Sequence, residues 1–346
     1  MTAPPDLVDL ALTLKLATDG ATDLTTQQLA RAWSQAWDEI AQEWREALTE
    51  LAGMAEDGQW PTRAQIARNV RAQAALQATA EALQHLTEQA QAAATGDLPA
   101  LVQLAADHQQ AMLAAQLPTG YRLPPVAYDP AAVAAIVGRT TQQITALTWP
   151  LRPETEAAMR ASLIRGMAVG DNPRKVAADM LNRVQGVFDG GRARAVNIAR
   201  TEMISAYRTA TQEREKLHTD VLKGWIWTAD LTSRTCAACI AMDGTFHELD
   251  EPGPLGHPSC RCARTDQTKT WKELGFDIPE PGRLEDRQTG PEWFEEQPEA
   301  TQRKILGPKR FAAWREGNYP PSVWAVRREN PAWRASYGVG PVPSSV

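Results

Sequence analysis

The chain places all four of its cysteines between Cys236 and Cys262. They read Cys236-Ala-Ala-Cys239 and, after a gap, His257-Pro-Ser-Cys260-Arg-Cys262. Thiolates bind Zn2+ well, and a C-x-x-C pair on a tight turn offers two sulfurs at tetrahedral spacing for a second pair to close. The chemistry expected is therefore a structural Zn2+ knuckle stapling a loop. Its expected ligands are Cys236, Cys239, Cys260 and Cys262, with His257 as the alternative ligand replacing one of the last pair. Four-coordinate zinc cannot take all of these and His247 besides. Reduced thiols packed without metal are one rival reading. A catalytic zinc is another, and would need an open position and a nearby acid or base. No G-x-S-x-G, H-E-x-x-H or phosphate-binding loop occurs. A cysteine nucleophile paired with His247 or His257 would reuse metal-type cysteines. The expectation is a non-enzyme with no catalytic residue.

Composition sets the frame for this cluster. At 43% hydrophobic and 23% charged residues, the chain has the make-up of an ordinary soluble protein. No apolar run approaches the roughly 18 residues of a membrane span, so no membrane association is expected. The start, Met1 to Leu7, lacks a basic and then apolar leader, so no secretory signal is expected. Few cysteines at metal spacing point to a reducing compartment. The net charge of −6 is uneven: residues 1–117 hold 6 Lys/Arg against 15 Asp/Glu, and residues 118–346 hold 30 against 27. The second part could meet phosphate locally, although no basic stripe is visible.

The elements that must carry the cluster are mostly helical. Thr25 to Gln28 has the form of a capping box. Leu29, Trp33, Trp37, Ile40, Trp44, Leu48 and Leu51 then recur at helical spacing and read as a core face. Gly58 to Pro61 breaks this pattern. Ile66 to Ala94 is Ala- and Gln-rich, which favours a long helix that needs a neighbour to pack on. Gly96-Asp97 restarts a helix toward Leu117. Pro118 to Pro125 reads as a linker. Asp129-Pro130, Pro153 and Asn172-Pro173 each open a further helix. Gly190-Gly191 is expected to be a hinge before a long helix from Arg192 to Leu217.

After Gly224 the period changes to two. Trp225 to Ala229 reads as a strand, Asp243-Gly244 as a hairpin-type turn, and Thr245 to His247 as the return strand. Pro252 to Pro258 is too rich in Gly and Pro to be regular. From Gly275 onward, tryptophans are scattered through a segment with too little aliphatic content for its own core. That tail is expected to drape over another surface, with residues 338–346 disordered if unbound. The fold class expected is α+β, mostly α-helical. The chain divides into a long-helix N-terminal region (1–117), a helical connector (118–190), a small α+β domain with a β-hairpin and the metal knuckle (191–275), and a Trp/Pro-rich, irregular C-terminal extension (276–346).

One ordered series is more specific than any of its parts. It runs Ala199-Arg200-Thr201-Glu202, Gly224-Trp225-Ile226-Trp227, Asp230, Arg234-Thr235-Cys236-Ala237-Ala238-Cys239, Asp243-Gly244 and His257-Pro258-Ser259-Cys260-Arg261-Cys262. From about Asn172 to Thr268 it resembles the head-morphogenesis or minor head proteins of tailed phages, similar to the F protein of phage Mu. The stretch from Trp293 through Trp314 also looks like the extension that follows this domain in many phage members. The resemblance implies a virion component, present in several copies at the portal vertex of the head and assembled in the host cytoplasm. Its implied partners are the portal protein, other head subunits and virion DNA during packaging or delivery. It carries the Cys/His set and the positions Arg200, Glu202, Asp230, Arg234, Asp243 and Gly244, with no catalytic role. Two extra residues between Asp230 and Ser233-Arg234 put an Asp230–Arg234 pairing in doubt. A nucleic-acid-binding module, using Arg261, Arg264 and Lys269, and a metal-dependent hydrolase or nuclease are the alternative readings.

Overall fold

The computed structural model describes residues 7–55, 61–123, 130–148, 153–154, 157, 173–330 and 334–343. The expected breaks at residues 58–60 and 124–125, the caps at Asp129 and Asn172, most of the helix from Pro153, and Trp333 lie outside them. In chain order come helices α1 (Leu7–Gly53), α2 (Arg63–Arg68), α3 (Val70–Gly96), α4 (Leu98–Gln116), α5 (Pro130–Thr148) and α6 (Pro173–Glu215). Then follow β1 (Leu222–Thr228), α7 (Ala237–Met242), β2 (Phe246–His247), β3 (Ala263–Thr268), α8 (Gly290–Glu295), α9 (Glu299–Arg315), β4 (Ala325–Arg328) and β5 (Ser336–Val339). The chain is thus mostly α-helical with small antiparallel sheets, the α+β class expected. Among the described residues, no helix is long and apolar enough to cross a membrane.

Two compact units form. One comprises residues 22–98 and 137–203, and its core is the tryptophan stripe. Trp33, Trp37, Ile40, Trp44, Leu48 and Leu51 are all buried, because they return to one face of α1 every three or four residues. They pack on Ala72, Ala75 and Leu83 of α3 and on Val184 and Phe188 of α6. The Ala-rich helix therefore finds its neighbour within this chain. Two indole N–H groups are satisfied inside this core: Trp33 donates to the Phe188 carbonyl at 3.0 Å, and Trp44 to Thr79 Oγ1 at 2.9 Å.

Several local expectations are corrected here. No helix starts at Thr25, which lies within α1 and donates its hydroxyl to Asp97. Capping boxes are found instead at Thr62, with Gln65, opening α2, and at Thr289, with Glu292, opening α8. A break at Asn69, whose side chain caps α3 through the Ala72 amide at 2.8 Å, splits the long Ala-rich helix. Gly190-Gly191 is no hinge, because α6 runs unbroken through it. Phe188 on one side of the glycines and Ala195 on the other bury in the same core, and that packing outweighs the low helix propensity of glycine.

The second unit comprises residues 1–21, 99–136 and 204–346. Its centre is a three-stranded antiparallel sheet in the order β2-β1-β3. The hairpin strands are joined by β3, which the sequence hides: Ala-Arg-Thr-Asp-Gln-Thr is polar, yet its last five residues are buried. Gln116 of α4 covers that strand's edge, donating to the Asp266 carbonyl at 2.8 Å and accepting from the Thr268 amide at 3.1 Å. The C-terminal extension is also more ordered than expected. Phe294, Leu306, Phe311, Tyr319 and Trp324 form a core with Ala237 and Ile240 of α7. Gly338 and Val339, expected to be disordered, pair in β5 with Val326 and Ala325 of β4.

Candidate metal centre

The cysteine cluster is assembled by three pieces of this second unit. The first is α7. Cys236 is its N-cap, in extended conformation, and its sulfur accepts from the Cys239 amide at 3.4 Å. One helical turn then carries Cys239 back beside it, so the C-x-x-C is a capped helix start. The second piece is the His257–Cys260 turn, closed by the Cys260 amide on the His257 carbonyl at 2.9 Å. Ser259 sits in the left-handed region, at φ 60°, to make that turn. The third piece is the start of β3, which follows Cys262 directly.

Cys239, Cys260 and Cys262 are buried and Cys236 is half-buried. Their donor atoms form two triads that share one sulfur. Cys236, Cys239 and His257 form the first, and Cys239, Cys260 and Cys262 the second, with the atoms of each within 4.8 Å of one another. His257 Nε2 lies 3.3 Å from the Cys236 sulfur and 3.6 Å from that of Cys239. The Cys239 and Cys260 sulfurs are 3.7 Å apart. His257 Nδ1 is 2.8 Å from the Pro258 carbonyl, which leaves Nε2 directed at the sulfurs. The sequence-expected set is thus gathered in one place.

His247 is not part of it. Its ring nitrogens meet Thr245 and Glu251, each at 2.9 Å, and its ring stacks on Trp225 at 4.1 Å.

The electrostatics are those of a polarised cluster. The Cys236 thiol is pulled down to about 5, first by its hydrogen bond with Cys239 and then by His257. His257 is raised to about 9 by its hydrogen bond with Cys236, against the effect of burial. Cys260 is held well below the usual thiol range, chiefly by Cys239, with the nearby Arg208 and His257 charges adding to it. Cys239 is pushed the other way, well above that range, chiefly by its hydrogen bonds with Cys236 and Cys260, and Cys262 is raised as well. Two of the four thiols thus ionise readily, and a cation would have to displace the proton of Cys239, since thiolates and not thiols are metal ligands.

The surroundings fix the loop tightly. A Cβ on Gly256 would lie 2.3 Å from the Cys260 sulfur, so only glycine fits there. Trp225 and Trp227 back the sulfurs in one apolar cluster. Below them Asp243 is buried, accepting from the Ala229 amide at 2.7 Å and from Arg287 at 2.6 Å. Burial raises its pKa, with Arg287 opposing.

Asp230 and Arg234, by contrast, are exposed. Arg200 is held by Asp23 at 3.0 Å and Thr26 at 2.9 Å. Arg264, one candidate for phosphate contact, is buried in an ion pair with Glu215. Lys269 donates to the Thr219 and Asp220 carbonyls.

One residue at the site had no signal in the sequence: Arg208, on the α6 face toward the loop. Its guanidinium reaches three loop carbonyls, and no short-range pattern marks it among the other arginines of α6.

Fold and site define a helix-rich α+β protein whose small sheet carries a Cys/His clasp. Residues 157–265 match the family described as Phage Mu protein F like protein, a span that takes in α6, the first two strands and the whole cluster. This bears out the resemblance over that segment, which is similar to Mu F-like phage head proteins. No curated protein and no solved structure matches the chain significantly.

Proposed function

We propose that the chain is a minor head protein of a tailed phage, a structural component bound near the portal vertex that assists head assembly and DNA packaging or delivery. The observation that carries this reading is the family match, because it falls on the segment that builds the Cys/His clasp. The expected partners are the portal protein and other head subunits, in several copies per particle, with virion DNA as a further contact. Mass spectrometry of purified virions and tailless heads tests it. The chain is expected in both, crosslinked to portal peptides, and its absence from both would sink the proposal.

Within that role we infer a structural Zn2+ held by Cys236, Cys239, Cys260 and His257. Zinc takes thiolate sulfur at about 2.3 Å and imidazole nitrogen at about 2.0–2.1 Å, so tetrahedral edges run roughly 3.8 Å between sulfurs and roughly 3.5 Å between sulfur and nitrogen. The 3.7, 3.3 and 3.6 Å separations match three edges of that set, and Cys260, which groups with Cys239 but not with Cys236 and His257, would close on the ion as it binds. His257 thereby takes the place first given to Cys262. When bound, the ion would supply a crosslink between α7 and the His257–Cys260 turn. Elemental analysis of the purified chain is expected to give one zinc per chain.

A further inference from the structure

We propose that Arg208 is the positioning residue of the metal loop, holding its backbone in the ligand-presenting shape before an ion arrives. The inference rests on the zinc reading above. Arg208 donates from Nη1 to the Pro254 carbonyl at 3.1 Å and from Nη2 to the Cys260 carbonyl at 3.1 Å. The Cys262 carbonyl accepts from both Nε, at 3.1 Å, and Nη2, at 2.6 Å. One planar group thus ties the entry limb of the loop, at Pro254, to its exit limb, at Cys260 and Cys262. The residues between are rich in Gly and Pro and cannot make a ladder of their own.

Charge argues the same way. Three thiolates and one neutral imidazole around Zn2+ leave a net negative centre. Arg208 Nη2 lies 3.8 Å from the Cys260 sulfur and offsets that charge inside a partly buried site. Arginine suits both tasks, because its fork spans several acceptors while it stays ionised. Lysine would keep the charge and lose the fork.

Zn2+ affinity of the full chain, measured by competition with a chelating dye, tests this. R208Q is expected to bind 10- to 100-fold more weakly, the usual cost of losing a partner that orients ligands. Its helical circular dichroism should stay that of the parent, and its Co2+ thiolate bands at saturation should be unchanged. R208K is expected to fall between the two, which separates charge from fork. Parent-like Zn2+ affinity in R208Q overturns the proposal. If R208Q does not fold, R208K decides alone, and parent-like affinity there overturns it equally. If the parent chain takes up no ion, the zinc reading fails, and amide exchange across residues 254–262 then judges Arg208. Faster exchange in R208Q supports its ordering role, and equal exchange overturns it.

Discussion

Both oxygens of the Glu215 carboxylate meet the Arg264 guanidinium, at 2.6 Å from Nε and 2.5 Å from Nη2, with the two side chains wholly out of water. Arg264 also donates to the carbonyls of Leu249 and Glu251 and lies over the Trp225 ring at 4.4 Å. The pair therefore locks the end of α6 to β3 and to the loop after β2. Removing one partner strands the other charge in a dry site, which costs about 3–5 kcal/mol. Glu215→Gln is expected to lower the urea midpoint accordingly, and a loss under 1 kcal/mol would show that water reaches the pair.

Asp266 sits beside that pair and sets a pH dependence. It is buried, with its carboxyl facing Glu215 and Gln109. Burial, and then the Glu215 charge, push its pKa well above the carboxylate range. A raised folded-state pKa means that folding favours the protonated acid. Its stabilising contribution is complete below the unfolded value of about 3.9 and is lost as pH rises toward the folded one. Asp266→Asn keeps the shape without the charge. The variant is expected to melt higher than the parent at pH 8, with the gap closing as pH falls toward 4. Parallel melting curves across that range would remove Asp266 as the cause.

Legibility in the sequence followed the physics of each element. The tryptophan stripe was readable because a 3.6-residue period survives without tertiary information, and all its members are buried. The cluster was readable because no other residue types bring that many soft ligands into one window. β3 was not, because several of its polar groups are held by distant partners: Thr265 bonds Thr228 at 2.8 Å, and Gln116 reaches across from α4 to the Thr268 amide. The run through Gly190-Gly191 was hidden for the same reason, since only the packing of Phe188 and Ala195 decides it. The order of the C-terminal extension depends on Ala237 and Ile240, far away in sequence. Arg208 was hidden because its acceptors are backbone carbonyls, which carry no residue signature.

The tryptophan core supplies a separable test. Thr79 Oγ1 donates to the Ala75 carbonyl at 2.7 Å while accepting from Trp44 Nε1. Thr79→Val keeps the volume and leaves a buried indole N–H unpaired, which costs about 1–3 kcal/mol. Thr79→Ser keeps the hydroxyl and is expected to cost less. Thermal melts should rank parent, Ser and Val in falling order. A Val variant as stable as the parent would mean that the indole finds water.

The cysteines are not equivalent, and the difference is measurable. Cys239 belongs to both donor triads, Cys236 and His257 only to the first, and Cys262 only to the second. Cys239→Ser is therefore expected to abolish zinc uptake outright, and Cys262→Ser to retain one ion per chain. His257→Ala should weaken uptake strongly, because its Nε2 lies 3.3 Å from the Cys236 sulfur and 3.6 Å from the Cys239 sulfur with a lone pair to offer. Chelation should lower the melting temperature of the parent and of Cys262→Ser, and leave that of Cys239→Ser unmoved, because an ion that binds only the folded chain stabilises it in proportion to the logarithm of its concentration over Kd. The Co2+ charge-transfer intensity of the parent should correspond to three thiolates. Four thiolates, together with loss of metal in Cys262→Ser, would move Cys262 into the site and His257 out of it.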